Sequence, residues 1–258
     1  MIHPTAIIDP TAQIGSNVKI GPFTIVHPSV VIGNSCELHA NVVIYPHTTV
    51  GAATVIHAGA IIGGDPQDMS FARETISHVV IGDRNVIREH VTVHRSAKEN
   101  GSTKIGDDCF LMVGAHVGHD STLGDRVILA NDVMLGGHVS VGDSVFMGGG
   151  TGVHQHVRIG RLVMTQGHSS ISKDVPPFTI TSDLNLVAGL NTIGLRRGNI
   201  SSEARAEIKA AFSLIYRSGL NVTQALEAVA TRHWGPEALE FFEFIRGARA
   251  RGICALAK

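Results

Sequence analysis

Of the 15 histidines in this chain, eight crowd its middle third: His90, His94, His116, His119, His138, His154, His156 and His168. Imidazole is the side chain that exchanges a proton near neutral pH, so this concentration points to acid–base work. Two spacings sharpen the choice. Asp120, His138 and His156 recur every 18 residues, and so do His119, Gly137 and Gln155. If 18 residues make one structural layer, the first set is a column of carboxylate and imidazoles. The second puts a glycine one layer away from a histidine. A carboxylate beside an imidazole holds its tautomer and raises its basicity, as a general base requires. A glycine leaves a backbone N–H open to a developing oxyanion. The alternative is that each histidine is an exposed corner residue with no chemical task, as most histidines of a repetitive chain are.

Other chemistries find less support. Ser169-Ser170 lacks a Gly-x-Ser-x-Gly setting, so a serine nucleophile is not indicated. The run Gly148-Gly149-Gly150 has no P-loop lysine and reads as a corner. His94, His138 and His154 offer imidazoles to a metal, but no cysteine or carboxylate set completes a site. No metal and no cofactor is expected. Three scattered cysteines, Cys36, Cys109 and Cys254, make neither a disulfide framework nor a zinc cluster, which fits a reducing cytoplasm. Lys plus Arg is 21 against 22 for Asp plus Glu, so no electrostatic pull toward nucleic acid is expected. The chain has no apolar run long enough for an integral membrane segment, and Met1-Ile2-His3-Pro4 does not open a signal peptide.

The elements that must position the histidines follow from a six-residue rhythm. The 29 glycines are about 11% of the chain against a typical ~7%, and many follow an Ile, Val or Leu at a fixed interval. The rhythm begins at Ile8-Asp9, Ile14-Gly15 and Ile20-Gly21 and runs to Ile62-Gly63. It breaks over residues 64–78, resumes at Ile81-Gly82, pauses at a polar insert over residues 96–103, and continues from Ile105-Gly106 to Ile171. A period of six does not return to one face of a helix, whereas short strands joined by tight corners can use it. The large aliphatic begins each hexad, and the fifth member is small or β-branched (Val18, Thr24, Val30, Cys36, Val42, Thr48, Cys109, Thr151), as a narrow interior requires. Three hexads close a triangular coil of about 18 residues, and coils stack about 4.8 Å apart, roughly nine of them. A β-sandwich would not hold one phase so long. The pattern resembles the hexapeptide-repeat proteins, and this resemblance implies a mainly β fold, a left-handed parallel β-helix; periodicity alone does not fix the hand.

After Val175-Pro176-Pro177 the rhythm stops. Ser201-Ser202-Glu203 opens an apolar-periodic helix (Ile208, Ala211, Phe212, Ile215) that ends at Ser218-Gly219. Thr223 to Thr231 reads as a second helix, Pro236 to Arg246 as a third, and Ile180 to Gly198 as a connector. The expected division is a β-helix over residues 1–180 and a connector with a small α-helical C-terminal domain over residues 181–258.

The stretch Ala115-His116-Val117-Gly118-His119-Asp120, with Leu129-Ala130-Asn131, Gly136-Gly137-His138-Val139-Ser140-Val141 and Val153-His154-Gln155, closely resembles the UDP-N-acetylglucosamine acyltransferase family of lipid A biosynthesis. The resemblance extends to Gly64-Asp65-Pro66-Gln67-Asp68, to Thr92-Val93-His94-Arg95, to Lys173-Asp174-Val175-Pro176-Pro177 and to Leu214-Ile215-Tyr216-Arg217-Ser218-Gly219. It implies that His119 is the general base that deprotonates the 3-hydroxyl of the sugar, with an acyl chain on acyl carrier protein as donor. Asp120 would orient the histidine, and the Gly137 amide would hold the oxyanion. His94, His116, His138, His154 and Gln155 would line the substrate site, and Arg197 would lie near the nucleotide phosphates. Gly167 would allow a long acyl chain. The resemblance also implies a cytoplasmic homotrimer with its site between chains.

Two departures fall on the acceptor side. Where the family has Asp-Leu-Lys-Tyr, this chain has Asp68-Met69-Ser70-Phe71, leaving Ser70 and Arg73 to meet the phosphates. Where the family has Gly-Asn-x-Ala, it has Ser182-Asp183-Leu184-Asn185. Two alternatives therefore stand beside O-acylation of UDP-N-acetylglucosamine: transfer to another acceptor such as a 3-amino UDP-sugar, and a catalytically silent solenoid that binds partners.

Overall fold

Most hexads fold as a strand of two residues and a four-residue corner, as in Ile128–Leu129, Met134–Leu135 and Ser140–Val141. This is seen in a computed structural model, which describes residues 1–248 and 251–257. Equivalent strands of successive coils pair in parallel at a register of 18, so that Phe110, Ile128, Phe146 and Met164 form one ladder. Among the described residues the ladders make three sheets of nine, eight and eleven strands, the faces of a left-handed parallel β-helix.

The interior is the stack of aliphatics the rhythm demands. Leu38, Ile56, Ile87, Leu111, Leu129 and Met147 are fully or almost fully buried, alternating with the corner residues Val30, Cys36, Val42 and Cys109. At about 25 cal/mol per Å² of apolar surface, this continuous column supplies the main driving force for folding. Burial pushes the Cys109 thiol up to about 11, so it is an inert filler of the core. Corners turn through a residue with positive φ, near +60° at Asp120, His138 and Asn41. Side chains larger than glycine are strained there and persist because ladder bonds on both sides fix the turn.

The two breaks in the rhythm are insertions that leave the stacking intact. Thr49 pairs with Val80 across a span of 31, and His78 pairs with Ser102 across a span of 24, where an uninterrupted coil has 18.

The helices begin and end close to where their caps indicate. α1 spans Thr192–Arg197 and α2 spans Ser202–Tyr216, with the Ser201 side chain accepting from the Ala204 amide. α3, Val222–Ala228, opens on an Asn221–Gln224 capping box, and α4, Pro236–Arg246, begins on proline. Ile208, Ala211, Phe212 and Ile215 of α2 are buried, as their spacing requires, and so are Ala238, Phe241, Phe242 and Ile245 of α4. Two arginines bind this layer to the solenoid. Arg158 pairs with Asp174 at 2.8 Å and donates to the Phe244 carbonyl, while Arg161 reaches Glu240 at 2.7 Å.

The segment from Ile180 to Gly198 is not the plain connector expected of it. Thr179–Ser182 continues the solenoid in parallel with Met164–Thr165, Leu186–Leu190 folds back antiparallel, and Ala255–Leu256 adds a further parallel strand. The last pairing partner arrives some 70 residues later in the chain, so no local pattern announces it.

Candidate active site

The strand His116–Val117 delivers Gly118, His119 and Asp120 to a corner of the solenoid, and the next coil delivers Gly136, Gly137 and His138 directly above. The columns read from 18-residue spacing are present. His119 Nδ1 lies 2.8 Å from Asp120 Oδ2, so its proton is donated to the carboxylate and the lone pair falls on Nε2. His138 Nε2 is 3.8 Å from the same oxygen, and its ring stacks on His156 at 4.4 Å. Burial tends to raise the Asp120 carboxyl, but hydrogen bonds from Ser96, His119 and the Ala97 amide outweigh it and hold the group below its usual range. It is therefore a stable anion at neutral pH.

The His119 ring leaves little space beside Gly137. A Cβ there would sit 2.5 Å from His119 Nε2 and 2.7 Å from Cε1. The flanking amides are committed to the ladder, Gly136 to the Val153 carbonyl and His138 to the His119 carbonyl. The Gly137 amide itself donates no hydrogen bond among the described residues. An unpaired N–H beside the basic nitrogen of a histidine is the arrangement acyl transfer needs, a base and an oxyanion donor facing the same space.

That space is a cleft of about 570 Å³. His94, His116, His119, Gly137, His154 and Gln155 line it together, and six sequence-selected residues thus converge on one site. Burial, and then the neighbouring His116 and His119, hold His94 down to about 4. Burial also lowers His116, and it lowers His138 despite the opposing pull of Asp120. All three imidazoles are neutral at pH 7; His94 and His116 serve as hydrogen-bonding walls, whereas His138 is outside the cleft lining and stands beside Asp120. Thr92 Oγ1 fixes the His116 ring through Nδ1 at 2.7 Å, and Arg251 donates to His154 Nδ1 at 2.6 Å.

Other selected residues lie elsewhere. Arg197 lines a second cavity of about 870 Å³ with Arg126, Arg161, Phe146 and Asn191. Gly167 occupies a corner where an added Cβ would meet the Gly149 carbonyl at 3.2 Å. The first insertion contributes Gln67 to the His119 cleft, whereas Ser70 and Arg73 are outside its lining. The Ser70 hydroxyl and amide both donate to Asp68 Oδ1, at 2.7 and 2.9 Å. Arg95 braces this insertion, pairing with Asp65 at 3.0 Å and donating to the Arg73 carbonyl. Of the altered segment, Asn185 accepts from the Ser172 and Lys173 amides and donates to Ser172 Oγ, and Ser172 lines the cleft.

Several site residues escaped the sequence reading. Met134, Gly152 and Ser170 line the cleft from the outward positions above His116. They lie at successive 18-residue steps from His116, the same register that relates Asp120 to His138. Ser96 and Ala97 touch Asp120 from inside an insertion, where no repeat indicates position. One group of three possible metal ligands occurs among the described residues, His119, Asp120 and His138. Both oxygens of Asp120 already accept hydrogen bonds from Ser96, Ala97 and His119.

A hexapeptide solenoid that sets a histidine–carboxylate pair against a free glycine amide defines an acyltransferase of the β-helix class. Comparison with known proteins narrows the class. The family model described as "Udp N-acetylglucosamine O-acyltransferase; Domain 2" matches residues 174–254, and that of the bacterial transferase hexapeptide matches residues 29–64 and 102–137. The acyl-[acyl-carrier-protein]–UDP-N-acetylglucosamine O-acyltransferase of Janthinobacterium sp. (strain Marseille) is 44% identical, with 98% of each chain covered. The crystal structure of LpxA from Acinetobacter baumannii superposes with a TM-score of 0.93 at 39% identity, covering 98% of each chain. The UDP-N-acetylglucosamine acyltransferase of Bacteroides fragilis gives the same TM-score and identity, with 98% of this chain and 99% of that one covered. The chain belongs to the UDP-N-acetylglucosamine O-acyltransferase family.

Proposed function

We propose that this protein transfers a fatty acyl group from acyl carrier protein to the 3-hydroxyl of UDP-N-acetylglucosamine, the first step of lipid A biosynthesis. The observation that carries the mechanism is the 2.8 Å contact of His119 Nδ1 with Asp120, which leaves Nε2 as the base beside the unpaired Gly137 amide. His119 Nε2 takes the proton of the sugar hydroxyl as that oxygen attacks the thioester carbon. The carbonyl oxygen becomes an oxyanion and accepts from the Gly137 N–H. Collapse of the tetrahedral intermediate breaks the carbon–sulfur bond, and the departing thiolate takes the proton back from the His119 imidazolium. Asp120 stays ionised throughout and stabilises that imidazolium, as a triad carboxylate does. The histidine walls and Gln155 position the acceptor and acyl chain, and Gly167 sets how far the chain extends.

A homotrimer belongs to this reading. Arg197 and His119 line separate cavities of one chain, so a site that uses both would have to be shared between neighbouring chains. The division of labour is also part of it: residues 1–180 carry the transfer machinery, and residues 181–258 carry the nucleotide contact and the helical layer. A cytoplasmic location agrees with three buried, unpaired cysteines, and no helix of the described residues is long and apolar enough to cross a membrane.

The test is an acyl-transfer assay over UDP-N-acetylglucosamine and its 3-amino analogue, with acyl carrier proteins bearing plain and 3-hydroxy chains. Ester formation that falls roughly 10²-fold or more in His119→Ala, with the fold retained, supports the reading. Transfer to the amino sugar alone would replace the acceptor. No transfer to either would leave the solenoid a binding protein.

A further inference from the structure

The polar insertion over residues 96–103 takes no part in the mechanism above, yet it closes around the catalytic carboxylate. Ser96 is fully buried, and its hydroxyl donates to Asp120 Oδ1 at 2.5 Å. The Ala97 amide donates to Oδ2 at 3.0 Å. Thr103, also fully buried, accepts from the Asp120 amide at 2.8 Å. The insertion holds its own shape through the Lys98 amide, which donates to Ser96 Oγ at 3.0 Å, and the Gly101 amide, which donates to the Lys98 carbonyl at 2.9 Å. The six residues beyond a plain coil thus grip Asp120 by side chain and backbone at once.

Asp120 has a choice of partner. His119 Nδ1 and His138 Nε2 both face its Oδ2, at 2.8 and 3.8 Å, and a carboxylate turns readily about its terminal torsion. An anchor on the other oxygen decides between them. We propose that Ser96 is a positioning residue for acyl transfer, its hydroxyl pinning Asp120 Oδ1 so that Oδ2 stays on His119 and Nε2 stays on the reacting side. This inference rests on the reading of His119 as the base. The charged and titratable groups around the pair are His138 beside Asp120, with His156 and Lys98 acting on His138, and His94, His116 and Asp68 on the side of His119.

The experiment is a steady-state and pH study of Ser96→Ala alone and in the Asp120→Ala background, read with UDP-N-acetylglucosamine and acylated carrier protein. If Ser96 acts through Asp120, Ser96→Ala lowers kcat roughly ten-fold with both KM values unchanged, since one charge-assisted hydrogen bond is lost and only its orienting part reaches the chemistry. The acid limb of the kcat profile moves to lower pH, because an imidazolium that loses its anionic partner gives up its proton more readily. In the Asp120→Ala background the same substitution changes nothing further. An unaltered kcat and pH profile in Ser96→Ala overturns the proposal. So does an equal loss in both backgrounds, which would mark Ser96 as a plain structural residue of the insertion. Failure of the base assignment is read separately, from wild-type-like turnover in His119→Ala.

Discussion

Replacing Gly137 by alanine would place a methyl carbon 2.5 Å from His119 Nε2, where ordinary contact begins at 3.4 Å. One side must give by about 0.9 Å, since close-packed atoms do not share that space. The backbone is the stiffer partner, because the amides of Gly136 and His138 on either side are bonded to the Val153 and His119 carbonyls at 2.9 and 2.8 Å. The ring therefore moves. Its retreat is blocked on one side by His138, whose ring centre is 5.1 Å away, and its Nδ1 is tied to Asp120. A displacement of about 1 Å in a reacting group costs about 10²-fold in rate, so kcat of Gly137→Ala should fall roughly 10²-fold. Alanine keeps the backbone N–H, so the oxyanion donor survives and the loss reports the position of the base. Steady-state assay across UDP-N-acetylglucosamine concentrations checks this, with thermal unfolding to confirm that the fold persists. A kcat within about three-fold of wild type would mean that Nε2 does not have to occupy its present position, and the steric argument would be wrong.

Sedimentation should find a trimer, and a stable, active monomer would refute the shared site. Gly167→Met should shift donor preference toward shorter acyl chains instead of lowering all rates alike, as a panel of acyl carrier proteins would show; an unchanged ranking removes Gly167 as the gate. Ser70→Lys should tighten UDP-sugar binding about ten-fold and Arg73→Ala should weaken it, because a charge-assisted phosphate contact is worth about 1.5 to 3 kcal/mol. If calorimetry finds neither change, recognition passes to the segment 182–185, which Asn185 ties to the cleft residue Ser172. His94 is held down to about 4 in the folded state, against an unfolded value near 6.5. The unfolded chain then binds more protons between these limits, so stability is complete above about pH 6.5 and is lost as pH falls toward about 4. Melting temperatures over this range should fall less steeply in His94→Gln, and an identical slope would exclude His94 as a contributor.

The hexad made the solenoid legible, because a strand of two residues and a corner repeat the same local physics at every coil. Once the coil length was read as 18, arithmetic placed Asp120, His138 and His156 in one column and His119 beneath Gly137, and the structure has both. Helices α2 and α4 were equally visible, since a serine cap, an opening proline and apolar spacing act over a few residues, and the helix expected from Thr223 overlaps α3. The identity of the carboxylate's partners was not visible. Ser96 and Ala97 lie in an insertion with no phase, and only the way residues 96–103 fold over the corner brings them to Asp120. The strand Leu186–Leu190 was hidden for a related reason, its parallel neighbour Ala255–Leu256 lying at the far end of the helical layer. Tertiary structure also set Arg197 and His119 in different cavities, which spacing along one chain could not reveal. What repeats in sequence fixes its own geometry through ladder hydrogen bonds of constant register. What occurs once is positioned by contacts between segments distant in the chain, and those exist only after the chain has folded.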